Sequence, residues 1–174
     1  MGGHRYLVAL GSNMRHVRHG PPRAVLAAAL AALDGGGCAV LAASGAHETA
    51  PLGPSRRRYA NAAAIVRCGY APDEFLRRLH DIEQAFGRRR RGRAWAARVL
   101  DLDIVLWSGG AWASAGGTPE GGGGGLVIPH PAFRARRFVL APADEVASDW
   151  RDPLTGLTVR QLSARLTKPR PPLR

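Results

Sequence analysis

At 174 residues, 45% hydrophobic and 22% charged, the chain is long enough for one domain with its own core and too apolar to be disordered. Its formal charge is +12 and Lys168 is the sole lysine, so the excess is nearly all arginine and points to anionic partners: nucleotides, phosphates or nucleic acid. No apolar run is long enough to span a bilayer, no signal-peptide pattern precedes the first strand-like segment and no GxxxxGK[ST] phosphate loop occurs; the expectation is a cytoplasmic globular protein that meets phosphates by another architecture. Cys38 and Cys68 belong to no CxxC or Cys/His cluster and are expected to be two buried reduced thiols.

Tyr6–Leu10 (YLVAL) has the character of a strand running into the turn Gly11-Ser12-Asn13. After Pro21-Pro22, Val25, Leu26, Leu30 and Leu33 recur at helical spacing, and Gly35–Gly37 end that helix. Cys38–Ser44 is a second predicted strand, 48–55 (ETAPLGPS) a Pro/Gly loop, and 56–68 a basic loop leading into a strand. Pro72-Asp73-Glu74 opens a second helix with the stripe Phe75, Leu76, Leu79, Ile82 and Phe86, and Gly87 stops it. An arginine loop, 88–98, leads into the apolar strand RVLDLDIVLW, and 108–125 is expected to be a glycine-rich flexible insertion. Short strand, proline turns and a helical return fill 126–150; a turn at Asp152–Gly156 and a helix over Val159–Leu166 close a single domain, 1–166, before a basic proline-rich tail. The order β-α-β-β-α-β predicts an α+β, ferredoxin-like arrangement: a mainly antiparallel sheet with helices packed on one face, plus a C-terminal extension.

The strand RVLDLDIVLW holds the chemistry. Strand alternation puts Asp101 and Asp103 on one face, followed by Val105 and Trp107, and Leu100, Leu102, Ile104 and Leu106 on the other. Two carboxylates about 6–7 Å apart at Cα repel unless a cation lies between them. Either this is a half-exposed strand face paired with nearby arginines, or it is a hard-metal site. Mg²⁺ accepts one or two carboxylates and takes its remaining ligands from substrate phosphates and water. The arginines just upstream, Arg88 and Arg98 among them, are donors suited to bidentate phosphate contacts.

The ordered set ALGSN, ETAPLGP, YANAA, IE…GR, W--R-LDLDI and IPHP…R-FVL-P, from Tyr6 to Leu162, resembles the 6-hydroxymethyl-7,8-dihydropterin pyrophosphokinases of folate biosynthesis. That resemblance implies a ferredoxin-like fold and transfer of pyrophosphate from ATP to the hydroxymethyl oxygen of the pterin, with release of AMP. It further implies two Mg²⁺ ions on Asp101 and Asp103, and catalytic phosphate contacts from Arg88 and Arg98. ATP would also meet Trp95 in a closing lid, Ile104, His130 and Arg136. The pterin would be held by Thr49, Ala50, Leu52, Gly53, Tyr59, Asn61, Asp101 and Phe138, and Glu83 stands at the family's helix-end acid. A monomer is the expected state.

Two other readings compete. Ferredoxin-like sheets and a basic charge suit RNA, although the central strands here offer few aromatics for base stacking, and RNA binding that persisted in EDTA would favour that class. An inactive paralogue is suggested by Ala96-Ala97, where the family usually has Gly-Pro.

Overall fold

The computed structural model describes residues 3–50, 58–87, 99–115 and 125–167. In chain order its elements are β1 (His4–Ser12), α1 (Pro22–Leu33), β2 (Cys38–Ala43), β3 (His47–Thr49), β4 (Tyr59–Cys68), α2 (Pro72–Ala85), β5 (Asp101–Trp107), β6 (Trp112–Ala113), β7 (Val127–Ile128), a 3-10 turn (Phe133–Ala135), α3 (Arg137–Ala147) and α4 (Val159–Thr167). The main sheet runs β2-β4-β1-β5, and β3 also pairs with β4; every pairing is antiparallel. Glu48 and Thr49, expected in a loop, therefore belong to a strand. Cys38 and Cys68 face each other across β2 and β4, both free; Cys68 is buried as expected, and burial pushes its thiol up to about 12, but Cys38, on the outer strand β2, is only half-buried.

Local chemistry explains the helices. α1 begins with Pro22 at its first position, where the missing N–H costs nothing, and Gly36 and Gly37 take positive φ beyond its end. In α2 the Glu74 carboxylate reaches back to the Ala71 amide, and acids fill the first turn. At α4, Thr158 and Gln161 exchange side-chain-to-backbone hydrogen bonds, a reciprocal cap.

The two early helices do share one face. Val25, Leu26, Ala29 and Leu33 from α1 and Phe75, Leu79 and Ile82 from α2 pack with Tyr6, Val8 and Leu10. The chain beyond β7, however, is no mere extension. Val139, Leu140 and Ala143 of α3, with Val159 and Leu162 of α4, seal Leu7, Ala63, Ile65, Val105 and Leu106 on the opposite face. Helices thus cover both sides of the sheet, because the alternating strand residues are apolar on both. A proline sits inside α3: Pro142 has no N–H to offer the Phe138 carbonyl four residues earlier.

β5 departs from simple alternation. Leu7 pairs with Leu106 but Val8 with Ile104, so Val105 is the extra residue of a bulge. Leu106 therefore turns to the α3 face beside Val105, and Trp107 packs on the α1/α2 side. The expectation that Leu106 follows Leu102 and Ile104, and that Trp107 follows the aspartates, is reversed beyond this point. Within the expected insertion β6 pairs with β7, just beyond it, and Trp112 meets Trp107 edge-on at 5.7 Å; residues 116–124 lie outside the described ones.

One corner holds the C-terminal part in place. The Asp152 carboxylate, fully buried, takes Arg134 Nε at 2.6 Å and Nη2 at 2.7 Å, the Thr155 hydroxyl at 2.6 Å and the Leu154 amide at 3.1 Å. Burial alone would push that carboxyl up, but the Arg134, Thr155 and Leu154 hydrogen bonds outweigh it and hold it below the usual carboxylate range.

Candidate active site

Sheet register assembles the site row by row on the α3 face. Leu7 stands between Ile65 and Leu106, under the helices. Two residues along, Ala9 stands between Ala63 and Asp103; two further, Gly11 stands between Asn61 and Asp101, with His47 beyond Asn61. Side chains shrink in the middle of these rows and become polar at their ends. Gly11 keeps the last row open. A Cβ there would lie 3.6 Å from Asn61 Oδ1 and 4.0 Å from the Asp101 Cβ, occupying the hollow between amide and carboxylate. Gly11 was read only as part of a turn; the signal that marks it is a glycine at strand alternation with Leu7 and Ala9.

Asp101 and Asp103 are both half-buried on this face, as alternation predicts before the bulge. Among the described residues no group of three or more His, Cys, Asp or Glu side chains gathers as a metal cage. Two carboxylates beside an unfilled hollow fit a hard cation that brings other ligands with it, and do not fit a closed structural site. Between them Leu102 faces the other way. Its amide, on the sheet's edge strand, donates to Glu83 Oε1 at 2.7 Å, and Glu83 is 1% exposed. Glu83 therefore holds the strand from behind, on the α2 side. Ile104 also belongs to that side, 2% exposed in the α1/α2 cluster, and is not brought among the polar groups.

Beside the aspartates stands the proline turn after β7. The His130 amide donates to the Val105 carbonyl at 3.1 Å, which docks the turn on β5 at its bulge. The ring Nδ1 accepts from the Ala132 amide at 3.2 Å, so the neutral imidazole carries its proton on Nε2. Burial, above all, pushes His130 below its ordinary pKa; Asp103 pulls upward, Arg136 pushes further down, and the imidazole is neutral at pH 7. Arg136 caps the start of α3, with its guanidinium carbon 5.8 Å from the Phe138 ring centroid. Positive charge, a neutral N–H donor and a helix N-terminus thus stand near two carboxylates.

A cavity of about 410 Å³ opens between β3 and α3, lined by His47, Thr49, Ala50, Phe138, Ala141 and Pro142 among others. That volume suits a small organic ligand. Asn61, 5% exposed, donates from Nδ2 to Thr49 Oγ1 at 2.9 Å and keeps its carbonyl oxygen on the Gly11 side. Tyr59 is directly opposite Thr49. Thr49, Ala50 and Phe138 thus line one cavity, and Asn61 joins them through Thr49. Leu52, Gly53, Arg88, Trp95 and Arg98 lie outside the described residues.

The fold is shared with known structures. The chain is similar to the crystal structures of Plasmodium falciparum HPPK-DHPS wild type, with STZ-DHP at a TM-score of 0.72 and 12% identity and without it at 0.71 and 11%. Those likenesses cover 94% of this chain but 43% and 41% of the solved chains, so this chain spans less than half their length. They establish an α+β architecture with an antiparallel sheet. Sequence goes further: the chain belongs to the 7,8-dihydro-6-hydroxymethylpterin-pyrophosphokinase family, whose model matches residues 7–148. Relatives named 2-amino-4-hydroxy-6-hydroxymethyldihydropteridine pyrophosphokinase include those of Synechocystis sp., 35% identical over 91% of this chain and 74% of that protein, and Methylorubrum extorquens, 34% identical over 93% of both. The Pseudomonas aeruginosa protein of that name is 36% identical over 86% of this chain and 84% of its own.

Proposed function

We propose that this chain transfers the pyrophosphoryl group of ATP to 6-hydroxymethyl-7,8-dihydropterin in folate biosynthesis, releasing AMP, as a monomer of ferredoxin-like type in the cytoplasm. The observation that carries the reading is the last row of the sheet, where Gly11 opens a hollow between the Asn61 amide and the Asp101 carboxylate, next to a cavity sized for a small ring system. Asn61 and the β3 backbone at Thr49 and Ala50 would read the heterocycle's edge, with Phe138, and Tyr59 opposite Thr49, available to its flat faces. Leu52 and Gly53 complete that set by resemblance alone.

Asp101 and Asp103 would hold two Mg²⁺ ions, which when bound neutralise phosphate oxygens. His130, neutral and donating from Nε2, and the Arg136 cation would orient the polyphosphate, and Arg88, Trp95 and Arg98 are assigned to the closing loop by the resemblance. Positioning is then the main catalytic contribution. The pterin's hydroxymethyl oxygen would form its bond to the β-phosphorus as the bond from that phosphorus to the α,β-bridging oxygen breaks on the opposite side; AMP departs with the bridging oxygen and the hydroxyl proton is released to water. An RNA platform finds less support, since helices cover both sheet faces.

The test is AMP formation from ATP with and without the pterin and Mg²⁺, beside Asp101→Ala and Asp103→Ala. The expected outcome is pterin-dependent AMP that stops in EDTA and falls at least ~100-fold in each variant. A folded wild type that forms no AMP under these conditions overturns the reading.

A further inference from the structure

The helix stripe that lines the cavity continues past it. Phe138, Ala141, Pro142 and Glu145 follow at i, i+3, i+4 and i+7, one face of α3. The first three line the cavity. Glu145, next along, reaches across to the sheet: its Oε2 accepts from the Gly45 amide at 3.0 Å, and its Oε1 lies 2.5 Å from His47 Nε2. The His47 hydrogen bond, helped by the Gly45 amide, holds the Glu145 carboxyl below the usual range, so it is ionised near neutrality.

Both walls of the slot meet at this clasp. One wall is Phe138 on α3; the other is Thr49 and Ala50, which follow His47 by two and three residues. β3 has only three residues and is held in the sheet through β4, so the Glu145 clasp ties this short strand to α3 directly. The spacing matters because an edge contact at Thr49 and Ala50 and a face contact at Phe138 must both be short. A gap of roughly 0.5–1 Å already forfeits a quarter to a half of the dispersion attraction.

From this geometry we infer that Glu145, acting through His47 and the Gly45 amide, is a positioning residue that sets the width of the slot for a flat heterocycle. The inference rests on the pterin reading above. The side chains of His47 and Glu145 are 33% and 45% exposed, so their ion pair adds little to global stability, and its consequence falls on ligand geometry.

The experiment uses the full chain with Glu145→Ala, Glu145→Gln, His47→Ala and the Glu145→Ala/His47→Ala double variant. Pterin dissociation is read from pterin fluorescence, and kcat and both KM values from AMP formation. Glu145→Ala is expected to raise the pterin Kd and KM about five- to tenfold while ATP KM and kcat stay within about twofold. The double variant should be no worse than the worse single one, and Glu145→Gln should recover part of the loss because its amide oxygen still accepts from Gly45. Should Glu145→Ala fold poorly, the same KM-against-kcat split is read, at smaller size, from Glu145→Gln. Unchanged pterin affinity in variants of a wild type that binds pterin overturns the inference alone. So does a parallel loss in kcat and both KM values together with a fall in Tm, which would mark a purely structural contact. A folded wild type that binds no pterin overturns the underlying reading and the inference with it.

Discussion

The two ends of the α3 face are built on the same strands and differ only by residues two and four along. At one end Leu7, Ile65 and Leu106 are sealed under Val139 and Leu140; at the other, Asn61, Gly11 and Asp101 bear on an open hollow. Both ends are antiparallel pairing of the same strands, with the Val105 bulge between Leu106 and the aspartates. The difference lies in side-chain size and polarity, and in the two faces of α3: Phe138, Ala141 and Pro142 border the cavity while Val139, Leu140 and Ala143 close the core. The hollow is a core that stops short.

Variants can break that contrast from either end. The largest effect is expected at the sealed end: Leu7→Ala removes a fully buried side chain shared by both neighbouring strands and should cost about 2–5 kcal/mol in denaturant unfolding. A cost below ~1 kcal/mol would show that α3 and α4 pack loosely on the sheet.

Asp152→Asn tests what holds those helices there. Breaking a buried pair costs about 3–5 kcal/mol, and partial exposure of Arg134 lowers the expectation to about 2–4. Because the carboxyl is held below its usual range, its contribution is fully present above the unfolded value near ~3.9 and fades as pH falls through the folded one. Wild type and variant should therefore differ at pH 7 and converge at strongly acid pH; a gap that stays constant with pH would mean that charge is not what Asp152 contributes.

At the open end the expectation reverses, with little change in stability and a large change in function. Gly11→Val places a branched side chain in the hollow beside Asn61 and should change unfolding by less than ~1 kcal/mol, since Gly11 has an ordinary strand φ and valine suits strands. Pterin binding followed by fluorescence should weaken by at least ~30-fold, about 2 kcal/mol, a modest overpacking cost. Binding unaffected by Gly11→Val would place the heterocycle elsewhere.

Much of this was legible in the chain itself. Period-two alternation in YLVAL and LDLDI put the two aspartates on one face, and the 3.6-residue stripes, opening prolines and closing glycines located α1 and α2, because these signals are local and repeat within one element. That Cys38 and Cys68 face each other across β2 and β4 was not legible there. What only tertiary structure decided is non-local. The bulge at Val105 arises from the register of β5 against β1 and leaves no mark in alternation, so the facing of Leu106 and Trp107 was misjudged. The return of α3 and α4 to the second face depends on contacts between residues more than a hundred positions apart, such as Leu7 with Val139 and Leu140 in one cluster. Separation along the chain also hid the link from Glu145 to Gly45 and His47, about a hundred positions away, and the hold of Glu83 on Leu102, 19 positions away. The sequence by itself determined which residue types the site would hold and on which strand. Their arrangement around a hollow was decided by sheet register and helix docking, whose energies belong to pairs of elements and appear in neither element alone.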